Sequence, residues 1–155
     1  MLESKPVKVP IPVGVTLSAE QCPKTQEKME DMAHVLYVSV VGSVMYASDV
    51  GSLMHAKVCT RPYIAHAMGV LSRYMSNPGK EHWMVVKRVL WYLHGTTDYA
   101  ICYQGIPGPT RVLDIPGFVD VDWARDLDQR ISTSGYVFKL FGGAISWMSR
   151  RQVRL

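Results

Sequence analysis

The order of two hydrophobic periods along the chain restricts it to folds in which helices come first and strands follow. Between residues 62 and 95, apolar residues recur at helical spacing in two segments separated by Asn77-Pro78. Pro62 suits a first helical turn, and Gly95 suits a helix C-terminus. After residue 98 the apolar runs become short, as in strands. The sequence therefore predicts an α+β fold with two or three helices followed by an antiparallel β-meander.

Four strand-like runs are predicted in the last third of the chain, at residues 99–103, 112–121, 135–141 and 144–149. Gly142-Gly143 lies between the last two runs and is a dipeptide typical of hairpin turns. Trp123 and Trp147 are predicted to pack against this sheet.

The first part of the chain has weaker signals. Residues 1–30 contain closely spaced prolines and are predicted to form an extended linker. The uncharged run 32–48 is short for a membrane span and is diluted by Ser and Gly, so it predicts a buried helix. The charged, proline-containing N-terminus is unlike a signal peptide. These features predict an intracellular protein with no membrane partner.

A nine-residue segment occurs twice in succession, at residues 37–45 and 46–54, with six of nine positions identical. Nine residues make two and a half helical turns, so equivalent side chains of two helical copies would point in opposite directions. The duplication therefore predicts a conflict, because only one copy can turn its apolar face to the core.

The net charge is +4, which permits a nucleic-acid partner without requiring one. Basic residues are concentrated between residues 61 and 94, where Glu81 is the single acid. The three cysteines, Cys22, Cys59 and Cys102, are widely spaced, which argues against a disulfide framework or a zinc site.

Many short motifs occur in a definite order, and together they point to one family. They are Val50-Gly-Ser-Leu-Met54, Cys59-Thr-Arg-Pro62, Met75-Ser-Asn-Pro78, Lys87-Arg-Val-Leu90, Tyr92-Leu-His-Gly-Thr96, Phe118-Val-Asp-Val-Asp-Trp123, Ser132-Thr-Ser-Gly-Tyr136 and Gly143-Ala-Ile-Ser-Trp147. This series closely resembles the Pol polyprotein of copia-type long-terminal-repeat retrotransposons, most of all the plant elements.

The resemblance implies a division of the chain. Residues 31–98, with the duplicated segment 37–54, would be the helical C-terminal part of the reverse transcriptase region. Residues 99–152 would be a truncated ribonuclease H-like domain with only its first strands, and residues 153–155 an unrelated tail. The chain departs from the family at Tyr63, where Asp is usual, and at Trp91, where Arg is usual. The Tyr-x-Asp-Asp motif of the polymerase site does not occur in this sequence.

The resemblance also implies the chemistry of the parent protein. Ribonuclease H cleaves the RNA of an RNA–DNA hybrid with two Mg²⁺ ions held by carboxylates. Asp120 matches the first-strand catalytic carboxylate, and Asp122 would lie on the same strand face, about 7 Å away. No Asp or Glu follows Asp128. The expectation is therefore a fragment without catalysis or a bound metal of its own.

Other interpretations of the acidic and basic residues stay open. The Asp residues from 120 to 128 could form a calcium loop, but Arg125 and Ile131 occupy its Gly and Glu positions. Asp126 and Asp128 are predicted to form a solvated acidic turn. Lys80, Lys87 and Arg88 could contact the phosphates of a template–primer, or could form an ordinary basic helix face.

The implied truncation leads to one further expectation. Without the later strand and helices of a ribonuclease H domain, the first strand would become an exposed edge of the sheet. Exposed edges pair readily with other chains, so self-association through strand edges is predicted.

Overall fold

Helices form the first part of the protein and an antiparallel sheet forms the last part. The computed structural model describes residues 7–50, 61–105, 115–124 and 126–153, without the side chains of residues 46–50 and 62. Helices α1 to α4 are Gln26–Ala33, Tyr37–Val50, Pro62–Leu71 and Lys80–Gly95. Strands β1 to β3 are Gly117–Asp122, Thr133–Leu140 and Gly143–Arg151. The predicted α+β fold is confirmed.

The boundaries of α3 and α4 follow from local chemistry. Pro62 begins α3, where its missing N–H costs no helical hydrogen bond. Gly79 precedes α4, and its N–H donates to Nδ1 of His82 at 2.8 Å. At the other end of α4 the Thr96 hydroxyl donates to the carbonyl of Tyr92 at 2.7 Å. The buried Arg61 guanidinium also donates to the Thr96 carbonyl, which joins the start of α3 to the end of α4.

The core lies where α2, α3 and α4 meet. Tyr37 and Val41 of α2 pack there with Ile64 and Leu71 of α3 and with Val89 of α4, and all five are almost completely buried. Each large apolar side chain that is fully buried contributes about 2 kcal/mol of transfer free energy. The Tyr37 hydroxyl donates to the Leu71 carbonyl at 2.9 Å, so the polar group in this core is satisfied.

The sheet has the strand order β1-β2-β3 among the described residues, with both pairs antiparallel. Leu140 pairs with Gly143, which leaves Phe141 and Gly142 as a two-residue hairpin turn. Both have positive φ, 49° and 82°, as a type I′ turn requires. The turn therefore lies one residue before the predicted Gly142-Gly143.

Several predictions differ from the structure in the first half of the chain. Residues 19–21 form a 3-10 helix and α1 begins at residue 26, so the extended conformation predicted for residues 1–30 is wrong at those positions. The Gln21 side chain accepts a hydrogen bond from the Ser18 N–H at 3.2 Å, and Leu17 joins the core. The helix predicted at 32–48 is two helices, since α1 ends at Ala33 and α2 begins at Tyr37.

The duplicated segment continues as helix from its first copy into its second, because α2 extends to Val50. Residues 51–54, and the side chains of residues 46–50, lie outside the described part. The predicted conflict between the apolar faces of the two copies involves these side chains, so it also lies outside the described part.

Two predictions about the sheet are wrong. Residues 99–103 do not form a strand. Instead, the Tyr103 hydroxyl donates to the Ala144 carbonyl at 2.9 Å and the Gln104 N–H donates to the Phe141 carbonyl at 2.8 Å. Trp123 does not pack against the sheet, because it lies in the turn after β1 and is 83% exposed.

None of the described helices combines the length and apolar character that crossing a membrane requires.

Candidate functional site

The two predicted carboxylates lie on one face of the sheet. Alternation along β1 places Asp120 and Asp122 on the same side, which we call the carboxylate face. Gly135 is the cross-strand neighbour of Asp120, and Ser149 is the next neighbour in the same row. Helix α3 packs against β3, and His66 Nδ1 lies 3.1 Å from Ser149 Oγ. The helical part therefore borders the carboxylate face.

Asp120 is exposed in the middle of β1 and borders an open cleft of about 450 Å³. Tyr63, His66 and Trp147 are among the side chains that line this cleft. Because its neighbour in the row is a glycine, no β2 side chain stands beside the Asp120 carboxylate. A ligand can therefore reach this carboxylate from the cleft.

Asp122 lies in a different setting. It is half-buried and borders a smaller cleft of about 200 Å³, which Arg73 and Asp126 also line. Among the described residues, no three His, Cys, Asp or Glu side chains converge in a way that could hold a metal ion. Asp120 and Asp122 offer the hard oxygen ligands that Mg²⁺ prefers, but the described residues do not by themselves fit a two-metal centre.

Asp126 is a buried carboxylate that binds groups from both the helical part and the sheet. Its side chain is only 4% exposed, and its Oδ2 lies 3.0 Å from Arg73 Nη1 and 2.8 Å from Arg151 Nη2. Its Oδ1 accepts hydrogen bonds from the backbone N–H groups of Asp128 and Gln129, at 3.0 and 3.4 Å. The prediction of a solvated turn is therefore wrong for Asp126, because two guanidinium groups and two amides compensate for its burial.

Asp128 connects the sheet to the N-terminal segment. Its two carboxylate oxygens accept the Ala19 N–H at 2.8 and 2.9 Å, at the start of the 3-10 helix. Its Oδ2 also accepts the Tyr74 hydroxyl at 3.2 Å. Asp128 is exposed, as predicted, but it binds these groups as well as solvent. With Asp126 bound to arginines and Asp128 bound to protein donors, the calcium-loop interpretation has no support in the structure.

His82 continues this polar network into the helices. Its ring stacks on that of Tyr74 with centroids 4.0 Å apart. Nδ1 accepts from the Gly79 N–H, so Nε2 carries the proton and donates to the Ser18 carbonyl at 3.2 Å. Burial is the main cause that lowers the pKa of His82, which favours this neutral form. Burial, followed by the charge of Asp128, raises the pKa of Tyr74 to about 12.

The sequence did not identify the network of Arg73, Tyr74, His82, Asp126 and Asp128. Asp126 and Arg73 are separated by more than fifty residues, so no local spacing pairs them. The one available signal was the density of charged residues between 126 and 130. Local spacing does not show which groups these charged residues bind.

The predicted basic residues on α4 have different environments. The buried side of α4 includes His82, Val86 and Val89, so helical spacing places Lys80 and Lys87 on the opposite side. Lys80 is exposed and pairs with Asp31 at 2.7 Å, and this hydrogen bond raises its pKa and lowers that of Asp31. Arg88 is half-buried at the border of the core, and its Nε has no hydrogen-bond partner among the described residues.

Comparison with known proteins identifies relatives of this chain. No family model and no solved structure matches it. The chain is 47% identical to the retrovirus-related Pol polyprotein from transposon TNT 1-94 of Nicotiana tabacum, over 98% of this chain and 10% of that protein. It is 36% identical to the Pol polyprotein from transposon RE2 of Arabidopsis thaliana, over 98% of this chain and 9% of that protein.

A third relative is of similar size to this chain. The chain is 46% identical to the secreted RxLR effector protein 161 of Plasmopara viticola, over 78% of this chain and 76% of that protein. The chain spans only about a tenth of the length of the two Pol polyproteins. The similarity to those polyproteins nevertheless extends over nearly all of its residues, so the homologues of this chain include retrovirus-related Pol polyproteins of plant copia-type transposons.

Proposed function

We propose that this chain contains the end of the reverse transcriptase region and the first strands of the ribonuclease H domain of a retrotransposon Pol polyprotein. In this proposal, Asp120 is the first metal-binding carboxylate of the ribonuclease H site. The main supporting observation is the position of Asp120, which is exposed in the middle of β1 and opens to a cleft. The antiparallel meander has the strand order that the resemblance implies.

The same proposal includes the inactivity of this polypeptide on its own. A two-metal centre requires carboxylates from several elements, and β1 supplies only Asp120 and Asp122 to the carboxylate face. The parent protein would bind Mg²⁺ and an RNA–DNA hybrid with residues from other parts of the polyprotein. Asp120 would then contribute one ligand to a site that this chain does not complete.

Two assays test the role of Asp120. The purified 155-residue chain should not cleave an RNA–DNA hybrid in Mg²⁺ above the level of its Asp120→Asn variant. A chimera should be made from the tobacco Pol polyprotein, with this chain replacing the 152 aligned residues. The chimera should cleave the hybrid, and Asp120→Asn should strongly lower that cleavage, because it removes a carboxylate ligand of the metal centre.

A matched control uses Asp98, which is exposed in the loop after α4. Asp98→Asn in the chimera should leave cleavage unchanged. If Asp120→Asn also left it unchanged in a folded, active chimera, the assigned role of Asp120 would be wrong. Cleavage by the isolated chain that depends on Asp120 would contradict its inactivity.

A second candidate function is binding of nucleic acid without catalysis, through the outer side of α4. Lys80 and Lys87 lie seven residues apart, so both side chains leave the helix on one side. Arg88 lies at the border of this side. Such binding to a template–primer should weaken steeply with salt. The logarithm of the binding constant should fall against the logarithm of the salt concentration with a slope of about 0.9 per phosphate contact.

The double change Lys87→Ala/Arg88→Ala should lower both the affinity and the salt slope, as fluorescence anisotropy measures. Lys28→Ala, an exposed lysine on α1, is the control and should have no effect. Binding that is absent or insensitive to salt would exclude this second function.

A further inference from the structure

Strand β1 has a free edge in the described part of the protein. It pairs with β2 on one side, and it is the first strand in the sheet order. Residues 117–121 are all exposed, and Val119 is 75% exposed. Hydrogen-bonding groups on a strand edge of this kind are available to pair with another strand.

The register shows which groups point outward. The Lys139 N–H donates to the Pro116 carbonyl, so residues 116 and 139 form a hydrogen-bonded pair. Hydrogen-bonded and non-hydrogen-bonded pairs alternate along antiparallel strands. In β1, therefore, the backbone groups of Phe118 and Asp120 point toward β2, and those of Gly117, Val119 and Val121 point outward. No described residue forms a hydrogen bond with these outward groups.

A second copy of the chain fits this edge in one register better than in the others. Two β1 strands related by a twofold axis normal to the sheet must place side chains of the same face opposite each other. The axis then passes through Val119 or through Asp120, since these are the two central residues. An axis at Asp120 places two Asp120 carboxylates directly opposite each other, which is destabilising.

An axis at Val119 keeps the two Asp120 carboxylates apart and brings opposite charges near each other. It places Asp120 of one copy opposite Phe118 of the other copy, in a non-hydrogen-bonded pair whose side chains are close. The Lys139 Nζ lies 5.0 Å from the centroid of the Phe118 ring on the same chain. The ammonium group of one copy therefore comes near the Asp120 carboxylate of the other copy, twice in the symmetric pair.

The opposite face of the sheet adds apolar surface at the same place. Val119, Tyr136 and Met148 form one cross-strand row there, and Val119 and Met148 are exposed. The axis at Val119 brings the two Val119 side chains together and makes the two apolar rows continuous. Edge hydrogen bonds, charge and apolar contact thus favour the same register.

We propose that two copies of this chain associate through antiparallel pairing of their β1 strands, centred on Val119, to form a six-stranded sheet. The occupant of the edge is a second copy, because the charge pattern of Asp120, Phe118 and Lys139 is complementary to itself. This proposal rests on the edge and its side chains. The ribonuclease H assignment implies a later strand at the same edge, so a Pol polyprotein that supplies that strand would not pair in this way.

Disulfide crosslinking tests the register directly. Cys22, Cys59 and Cys102 are first changed to Ser, and single cysteines are then introduced. Val119→Cys should form a crosslinked dimer under mild oxidation, because the two positions lie opposite each other. Asp120→Cys should not crosslink to itself, but should crosslink with Phe118→Cys when the two variants are mixed. Preferential self-crosslinking at position 120 would overturn the Val119-centred register.

Sedimentation equilibrium tests the charge pairing in the full chain. Asp120→Lys and Lys139→Asp should each raise the dimer dissociation constant about tenfold, since symmetry applies each change twice. The double variant should return it to within about threefold of the original value. Circular dichroism should show that every variant keeps the helices and the sheet.

Two results would overturn the proposal. A chain that stays monomeric at millimolar concentration would leave the β1 edge to a strand of a different partner. A dimer that does not respond to the charge exchange, and does not crosslink at position 119, would use another surface.

Discussion

Arg73 Nη1 lies 3.0 Å from Asp126 Oδ2, and this contact joins the segment between α3 and α4 to the loop that connects β1 and β2. Arg151 of β3 reaches the same oxygen at 2.8 Å. The carboxylate is thus shared between the two parts of the chain that the family resemblance assigns to different domains. These parts are connected by ionic contacts as well as by the packing of α3 on β3.

Asp126→Asn should destabilise the whole protein. The neutral amide cannot compensate for the two guanidinium groups, and we expect a loss of about 2 kcal/mol in the free energy of unfolding. Urea denaturation measures this loss. Asp31→Asn, which breaks the exposed pair with Lys80, is the control and should change the midpoint little. Equal effects of the two changes would show that Asp126 does not connect the two parts.

Gly79→Ala should also destabilise the protein, because the 3-10 helix leaves no space for a side chain there. A Cβ at residue 79 would lie 1.9 Å from the backbone oxygen of Gln21, so the segment around Gln21 would have to move. Gly42→Ala in α2 is the control, since its Cβ would meet no atom within 4 Å. That change should stabilise the helix by about 0.5–1 kcal/mol. In thermal unfolding, the midpoint temperature should fall in Gly79→Ala and rise in Gly42→Ala.

Acidic pH should destabilise the fold through His82. Burial lowers the pKa of His82 in the folded protein, so the unfolded chain binds a proton more readily below about pH 6.5. The stability contributed by neutral His82 is therefore complete above that pH and is lost as pH falls toward the folded pKa. A proton on Nδ1 would also face the Gly79 N–H, which needs an acceptor.

Denaturation between neutral pH and about pH 5 measures this dependence. In His82→Gln the slope of stability against pH should be smaller over that range. His94→Gln, at an exposed position in the last turn of α4, should keep the original slope. An unchanged slope in His82→Gln would mean that other groups cause the acid sensitivity.

Tyr37→Phe should cost more stability than Tyr103→Phe. Both hydroxyls donate to a backbone carbonyl at 2.9 Å, but Tyr37 is buried and Tyr103 is exposed. Loss of the Tyr37 hydroxyl leaves the buried Leu71 carbonyl without this donor, which we expect to cost about 1–2 kcal/mol. Water replaces the lost donor at Ala144. Chemical denaturation of the two variants in parallel tests the difference.

The sequence predicted the elements whose causes are local. Pro62 indicated the start of α3 and Gly95 the end of α4, and short apolar runs indicated β1, β2 and β3. The strand predicted at 99–103 failed because strand propensity requires a partner, and Tyr103 contacts β3 through its hydroxyl instead. Trp123 was expected to pack against the sheet, but its position in the turn after β1 leaves it exposed.

In the candidate site, too, only the features with local causes were predicted. Alternation along one strand was enough to place Asp120 and Asp122 on one face. The burial of Asp126 was not predictable, because it depends on Arg73 and Arg151, which only the tertiary fold brings to the same carboxylate. Local patterns therefore identified the residues of the carboxylate face, and tertiary structure determined the polar network beside it.

The bond between Asp128 and the Ala19 N–H joins residues that are 109 positions apart. During synthesis the ribosome releases the N-terminal segment long before it produces Asp128, so the 3-10 helix lacks this carboxylate partner for most of translation. Contacts between distant residues of this kind slow folding, since a long loop must close before they form. The N-terminal segment therefore reaches its final position only after the loop between β1 and β2 has been made.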